Sequence, residues 1–388
     1  MITIHNWMKI IFISLLLIIT SCISEKNKIN KDNSQYTINI KDAKVSDETV
    51  LLSEVIDSNS IELIPLETND SCLLGSIRRI RKLEDYFYVL DFASSRKLLK
   101  FSNDGSFKNI IGKKGVGPGE YEAPIDFCIE RINKKIVLLD KGYFIKRYTT
   151  EGKYIDQHKL KEFSAIAVEK TMNGFAFIGG GRSDNLVIAD SNFNKLTSSF
   201  PYRNKTLDRL IHSPIQRVND SLTIYRRFFD KIIYKIENKR VEPHTFLSFR
   251  DKMKKSEHMN IDKDKIKNYP RIKYYFESKD FSYMAYFKKK EPFIVIFDKL
   301  KNRICNHFSY LKMKNDITLE KKSSYVIGVD QKSGKFIFYI EPANIINVLE
   351  KKSINSSVIV DKLKNIKTKI SLHSNPVLML ANFKSFEK

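Results

Sequence analysis

The chain has 388 residues, 42% of them hydrophobic and 12% aromatic, which is enough apolar material for one large core and excludes a wholly disordered protein. Its 26 Phe and 18 Tyr stand against a single Trp, so strand formers dominate and an all-β fold is the first expectation. The formal charge of +23 suits anionic partners in principle, but the lysines are scattered through Lys254-Lys255, Lys288-Lys289-Lys290 and Lys351-Lys352. That scatter reads as a solvated surface, and nucleic acid is not an expected partner.

The first residues hold one base, Lys9, then an apolar run from Ile10 to Ile19, then Thr20, Ser21 and Cys22. This is a signal-peptide layout. A permanent span needs about 20 apolar residues, and this run falls well short of that before the polar Ser24-Glu25-Lys26-Asn27-Lys28. The order Ile19-Thr20-Ser21-Cys22 resembles the bacterial lipobox, in which the thiol at the cleavage site takes a diacylglyceryl group. Cleavage before Cys22 then leaves a mature protein held to a membrane by its acyl chains. The expected organisation is a signal peptide over 1–21, a lipidated flexible tether over 22–35 and a folded domain over 36–388. The tether is polar and rich in Lys, Asn and Ser.

From there on the chain repeats one pattern, a polar turn followed by a short aromatic or β-branched strand. The copies are Tyr86 to Asp91, Ile136 to Asp140, Phe175 to Gly179, Leu222 to Tyr225, Tyr283 to Phe287 and Phe336 to Ile340. Turn residues such as Asn173-Gly174 and Ser333-Gly334 precede them, as hairpins require. Five copies continue into a third strand: Leu98 to Phe101, Ile145 to Tyr148, Leu186 to Ala189, Ile232 to Ile236 and Phe293 to Phe297. Four antiparallel strands per roughly 45 residues make a propeller blade, so the six copies predict a six-bladed β-propeller. The polar, Lys-rich stretch Asp251 to Asn268 reads as a helical or irregular insertion ended by Pro270. Val377 to Leu380 reads as a final strand, and the strand-like pieces between Tyr36 and Leu66 are expected to complete its blade.

The segment Gly112-Lys113-Lys114-Gly115-Val116-Gly117-Pro118-Gly119-Glu120-Tyr121 closely resembles the Gly-x-Gly-Pro-Gly-Glu-Tyr signature of the six-bladed β-propeller lipoproteins of Bacteroidetes. The ending Asn375-Pro376-Val377-Leu378-Met379 is similar to that family's C-terminus. The resemblance implies a TolB-like or NHL-like propeller. It carries over no catalytic residues.

The same glycine cluster lacks the Gly-x-x-x-x-Gly-Lys-Ser/Thr of a phosphate loop, and Pro124 and a strand follow it where a helix would be needed. It reads instead as a structural crossover between blades, with glycines at positive φ and Pro118 stiffening the turn; Glu120 and Tyr121 remain face-lining candidates. The seven histidines form no His-Glu-x-x-His pair, and no metal or cofactor is called for. Cys72, Cys128 and Cys305 have no zinc or redox spacing, so each is expected as a small buried hydrophobe, with one disulfide among them left open. Arg79, Asp126 and Arg217 sit near the innermost strands and are candidates for lining the central channel.

Two functions fit. The leading one is a cell-envelope lipoprotein, joined to the membrane through the lipid on Cys22, whose propeller binds or scaffolds a protein, peptide or glycan partner. The rival is a channel-centred metal-dependent hydrolase or lactonase, which would need several carboxylates converging on a cation. With one acid against two bases after Cys22, the outer membrane's periplasmic face is the expected location.

Overall fold

The computed structural model describes residues 34–92, 94–180, 184–201, 213–227, 230–250, 268–319, 325–350 and 358–385. The expected leader, Cys22 and nearly all of the tether lie outside them, as does the expected insertion except Asn268.

The domain is all-β in its framework, a six-bladed propeller built from the predicted strands. Each repeated strand is the second of a blade. Blade 1 runs Ile77–Leu83, Tyr86–Asp91, Leu98–Ser102 and Phe107–Ile111; blade 2 runs Pro124–Glu130, Lys135–Asp140, Phe144–Thr149 and Tyr154–Lys159. Blade 3 is Ala165–Lys170, Phe175–Gly179, Asp184–Ala189 and Lys195–Pro201, and blade 4 is Ile215–Arg217, Thr223–Arg226, Ile232–Glu237 and Arg240–Leu247. Blade 5 is Arg271–Glu277, Phe281–Lys288, Glu291–Asp298 and Arg303–Ser309.

Blade 6 closes the ring from both chain ends. Its strands Gly328–Val329, Phe336–Ile340 and Val377–Ala381 are joined by Glu62–Pro65, with Leu378 opposite Ile64 and Met379 opposite Leu63. The N-terminal pieces divide here, contrary to the expectation that all would serve this blade. Tyr36–Ile38 instead adds a fifth, parallel strand to blade 4, Tyr36 facing Thr245 and Ile38 facing Leu247. Val50–Leu51 pairs with Met313–Lys314.

Second strands are buried on both faces because each blade is sandwiched between two others, which is why Tyr86–Asp91 and Lys135–Asp140 carry almost continuous apolar runs. The fourth strands of blades 1, 2 and 3 meet solvent, and Tyr154–Lys159 is mostly exposed accordingly. Six apolar clusters fill the six interfaces. One joins Tyr88, Leu98 and Ile111 of blade 1 to Phe127, Ile136 and Tyr148 of blade 2. The cluster between blades 5 and 6 also takes in the helix Pro342–Glu350, where Ile345 and Val348 fall on one buried face three residues apart, and the helix Val360–Ile366. Both helices fall inside the gap between the second and third strands of blade 6, which is why that blade's third strand comes so late in the chain.

Cys72 and Cys128 are buried and Cys305 is half-buried, and all three are free thiols. Burial raises each thiol, Cys305 to about 11.

Candidate functional site

In the first strands of blades 1, 2, 3 and 5 the register shifts by one residue near the start, between Ile77 and Arg79, Pro124 and Asp126, Ala165 and Ala167, and Ile272 and Tyr274. A bulge at the same place in each blade re-aims the side chains that follow. In blade 1 that side chain is Arg79 and in blade 2 it is Asp126, and the structure brings these two predicted residues together. Arg79 donates from Nε to Asp126 Oδ1 at 2.8 Å and from Nη2 to Oδ2 at 2.7 Å, and the Val168 amide of blade 3 donates to Oδ2 at 3.1 Å. Burial alone would raise the Asp126 carboxyl; the Arg79 charge and hydrogen bonds outweigh it and hold the group below the usual carboxylate value.

Further along the axis, Arg81 donates to Glu169 of blade 3 and Lys82 pairs with Asp330 of blade 6 at 3.4 Å. Gln331 accepts from Arg131 Nε at 2.6 Å and donates to the Arg217 carbonyl. Ion pairs and amides from five blades thus occupy the channel. Among the described residues no group of three or more His, Cys, Asp and Glu side chains is placed to hold a metal ion. Two acids of the inner strands, Asp126 and Glu169, are engaged by arginine.

Arg217, the third predicted residue, is not joined to that pair. It sits where the first strand of blade 4 enters its hairpin turn, and its guanidinium folds back onto that turn: Nε donates to the Asn219 carbonyl at 3.1 Å and Nη2 to Asp220 Oδ1 at 2.9 Å. There it borders a cleft of about 870 Å³ across the turns of blades 2, 3 and 4. Glu130, Arg131, Ile132 and Asn133 line it from blade 2, with Lys135 and Arg147; Lys170, Met172, Asn173, Ser191 and Asn192 line it from blade 3, and Arg217, Asn219, Asp220 and Ser221 from blade 4. Its volume lies within the range of sites that take small molecules or peptide segments. A smaller cavity of about 180 Å³ opens at the other end of the channel, bordered by Arg78, Phe92, Pro214, Tyr274 and Phe276.

The glycine segment folds onto itself. Lys113–Lys114 pairs in parallel with Glu120–Tyr121, and Glu120 accepts from the Gly117 amide at 2.9 Å and pairs with Lys113 at 3.4 Å. Gly112 (φ 70°) and Gly119 (φ 77°) take the left-handed conformation expected of them, and a side chain at Gly119 would also collide with Tyr154 at 2.9 Å. Gly117 does not take positive φ; its role is to place its amide against Glu120. Gly115 is kept small by the Glu120 carboxylate, which a side chain there would meet. Tyr121 lines no face, being wholly buried between blades 1 and 2, and burial pushes its hydroxyl up to about 12. Where the segment enters blade 2, Asp140 accepts from the Ala123 amide (2.7 Å); the corresponding Asp91 of blade 1 accepts from the amides of Ser76 (2.9 Å) and Ser95 (2.7 Å).

A model of the family described as a domain of unknown function, DUF4934, matches residues 35–382. The chain belongs to the DUF4934 family. A crystal structure of a protein described as exported, from Bacteroides fragilis, is similar to this DUF4934 chain over 90% of its length and 99% of the other, at 22% identity and a TM-score of 0.71. A member of the DUF4221 family from Bacteroides vulgatus gives a TM-score of 0.49 at 10% identity, over 84% of this chain and 99% of that one. No curated protein sequence matches. Family and fold therefore agree.

Proposed function

We propose that the chain is a cell-envelope lipoprotein, lipidated on Cys22, whose propeller serves as a binding or scaffolding module for a macromolecular partner. The observation that carries this reading is the large cleft on the hairpin-turn face, set against a channel occupied by the protein's own ion pairs. Binding on a propeller built this way falls to its faces. Every turn bordering the cleft is short and held by internal hydrogen bonds, such as the Asn219 side chain accepting from the Ser221 and Leu222 amides. A rigid rim of this kind loses little entropy when a partner docks.

The anchor rests on Ile19-Thr20-Ser21-Cys22 and is supported by the exported relative. The charges beside Cys22 favour the periplasmic face of the outer membrane, and the glycine signature favours a TolB-like or NHL-like subtype. A hydrolase would need acids free to meet a cation, whereas Asp126 and Glu169 are committed to Arg79 and Arg81.

Two measurements test the reading. In a bacterial host fed radioactive palmitate, the native protein is expected to take up label and Cys22→Ala to take up none; label on the variant removes the anchor. A photo-reactive residue replacing Ile132 at the cleft rim is expected to capture a partner in intact envelopes, while one replacing Val116, exposed on the crossover loop of the opposite face, is expected not to. Equal capture at both positions, or none at either, overturns the binding face.

A further inference from the structure

The cleft has a distinct electrostatic character. Five bases, Arg131, Lys135, Arg147, Lys170 and Arg217, face two acids, Glu130 and Asp220. Asp220 is already engaged by Arg217. Each arginine is held along one edge. Arg131 donates from Nε to Gln331 at 2.6 Å and from Nη2 to the Lys82 carbonyl at 2.8 Å, and Arg147 donates from Nε and Nη2 to Asp156. Arg217 is fixed in the same way by its own turn. The remaining nitrogen of each, Nη1, has no hydrogen-bond partner among the described residues, and neither has the Lys135 ammonium. These donors are preorganised and unspent.

Two further observations narrow the ligand. The Glu130 side chain is 7% exposed, and its Oε1 is buried without any hydrogen-bond partner, so a buried acceptor in the cleft wall awaits a donor. On the rim stand two aliphatic side chains, Ile132 at 86% exposure and Met172 at 60%, and among the described residues no aromatic ring lines the cleft. A polypeptide supplies the matching chemistry. Its acidic side chains meet the guanidinium edges, its main-chain N–H groups meet Glu130, and its apolar side chains meet Ile132 and the adaptable Met172.

We infer that this cleft recognises an acidic segment of a partner protein, bound in extended form across the turns of blades 2 to 4. The inference rests on the binding-face reading above and names the chemistry of its partner.

The test uses the full chain in detergent micelles and a fluorescent peptide of alternating Glu and Leu, with its Gln counterpart as control. The Glu peptide is expected to bind at least about tenfold more tightly than the Gln peptide, a difference carried by its charges. Its binding should weaken several-fold when salt rises from about 0.1 M to about 1 M, where screening shortens to about 3 Å. Lys135→Gln combined with Ile132→Glu, both at accessible positions, is expected to weaken it about tenfold. Equal affinity for both peptides, or no effect of the Lys135→Gln/Ile132→Glu pair, overturns the inference. So does tighter binding of a galacturonate oligomer, which would make the ligand a glycan. If the acidic peptide fails while the photo-reactive residue at Ile132 still captures a partner, the acidic class falls and the binding face stands. If both fail, both readings fall.

Discussion

Arg79 and Asp126 form a two-pronged ion pair across the boundary between blades 1 and 2, with both side chains almost wholly buried. Because Asp126 also accepts from the Val168 amide, one carboxylate ties three blades together at the axis. Removing one member leaves the other charged without its partner in a site almost closed to solvent. Arg79→Met is therefore expected to cost about 3–5 kcal/mol, and the double change Arg79→Met/Asp126→Leu to cost much less, because no orphaned charge remains. Urea denaturation of the two variants checks this; equal losses would show that the pair acts through shape and not charge. The pH dependence follows from the lowered carboxyl of Asp126. Its contribution is complete above the unfolded carboxylate value of about 3.9 and is lost as pH falls through the lower folded value. The stability gap between wild type and Asp126→Asn should therefore close only in strong acid.

The second strands were legible because they are buried on both faces. Phe175–Gly179 and Phe336–Ile340 are unbroken apolar runs after glycine turns, and their limits agree with the sequence reading. Half-exposed strands such as Tyr154–Lys159 carry too little apolar signal to stand out. Tyr36–Ile38 could be read as strand-like, but its partner could not, since the choice of blade 4 over blade 6 depends on which edge lies nearby in space. The same limit applies to the site. Arg79 and Asp126 were each visible as inner-strand residues, yet their pairing spans 47 positions. The cleft draws on turns of three blades, each ordinary by itself. Aligning the repeats would place Arg131, Met172 and Asn219 at the same rim, and that is the one sequence signal that pointed there.

Ring closure gives a second prediction. Leu378 is fully buried in blade 6 opposite Ile64, at the only seam where one blade is assembled from both ends of the described chain. Leu378→Ala is expected to cost about 2–5 kcal/mol, as large-to-small changes in packed cores do. The loss should appear as a lower midpoint for the whole unfolding transition. A local transition confined to blade 6, with the other five blades protected from hydrogen exchange, would contradict a ring that unfolds as one unit.

Asp91 offers a third. Burial would raise its carboxyl, but hydrogen bonds from Ser95, Ser76 and Gly75 prevail and hold it below the ordinary value. It therefore joins the loop entering blade 1 to the loop after the blade's second strand. Asp91→Ala strips several amides of a charged acceptor and is expected to cost at least about 2 kcal/mol. Asp91→Asn, which keeps one carbonyl acceptor, should recover part of it. A thermal melt of both variants checks the order, and identical melts for Ala and Asn would show that the carboxylate's amide bonds contribute nothing.

The last prediction concerns the fifth strand of blade 4. Beneath Tyr36 lies Glu277, wholly buried, which meets His244 Nε2 at 2.9 Å and accepts from Lys299 Nζ at 2.6 Å and the Tyr275 hydroxyl at 3.0 Å. The Tyr36 ring packs edge-on to His244 at 5.6 Å and lies 5.3 Å from the Lys299 ammonium. Burial pushes the Glu277 carboxyl up, but His244 and Lys299 bring it below the usual value, so its contribution is present above about pH 4.3 and is lost on further acidification. Glu277→Gln leaves Lys299 without its counter-charge beneath Tyr36, so a loss of about 3–5 kcal/mol is expected. Tyr36→Ala disturbs only the cover, and should leave the unfolding midpoint nearly unchanged while making Tyr36–Ile38 sensitive to protease. If Tyr36→Ala lowers the midpoint as far as Glu277→Gln does, the added strand is part of the cooperative core and not a strap laid over it.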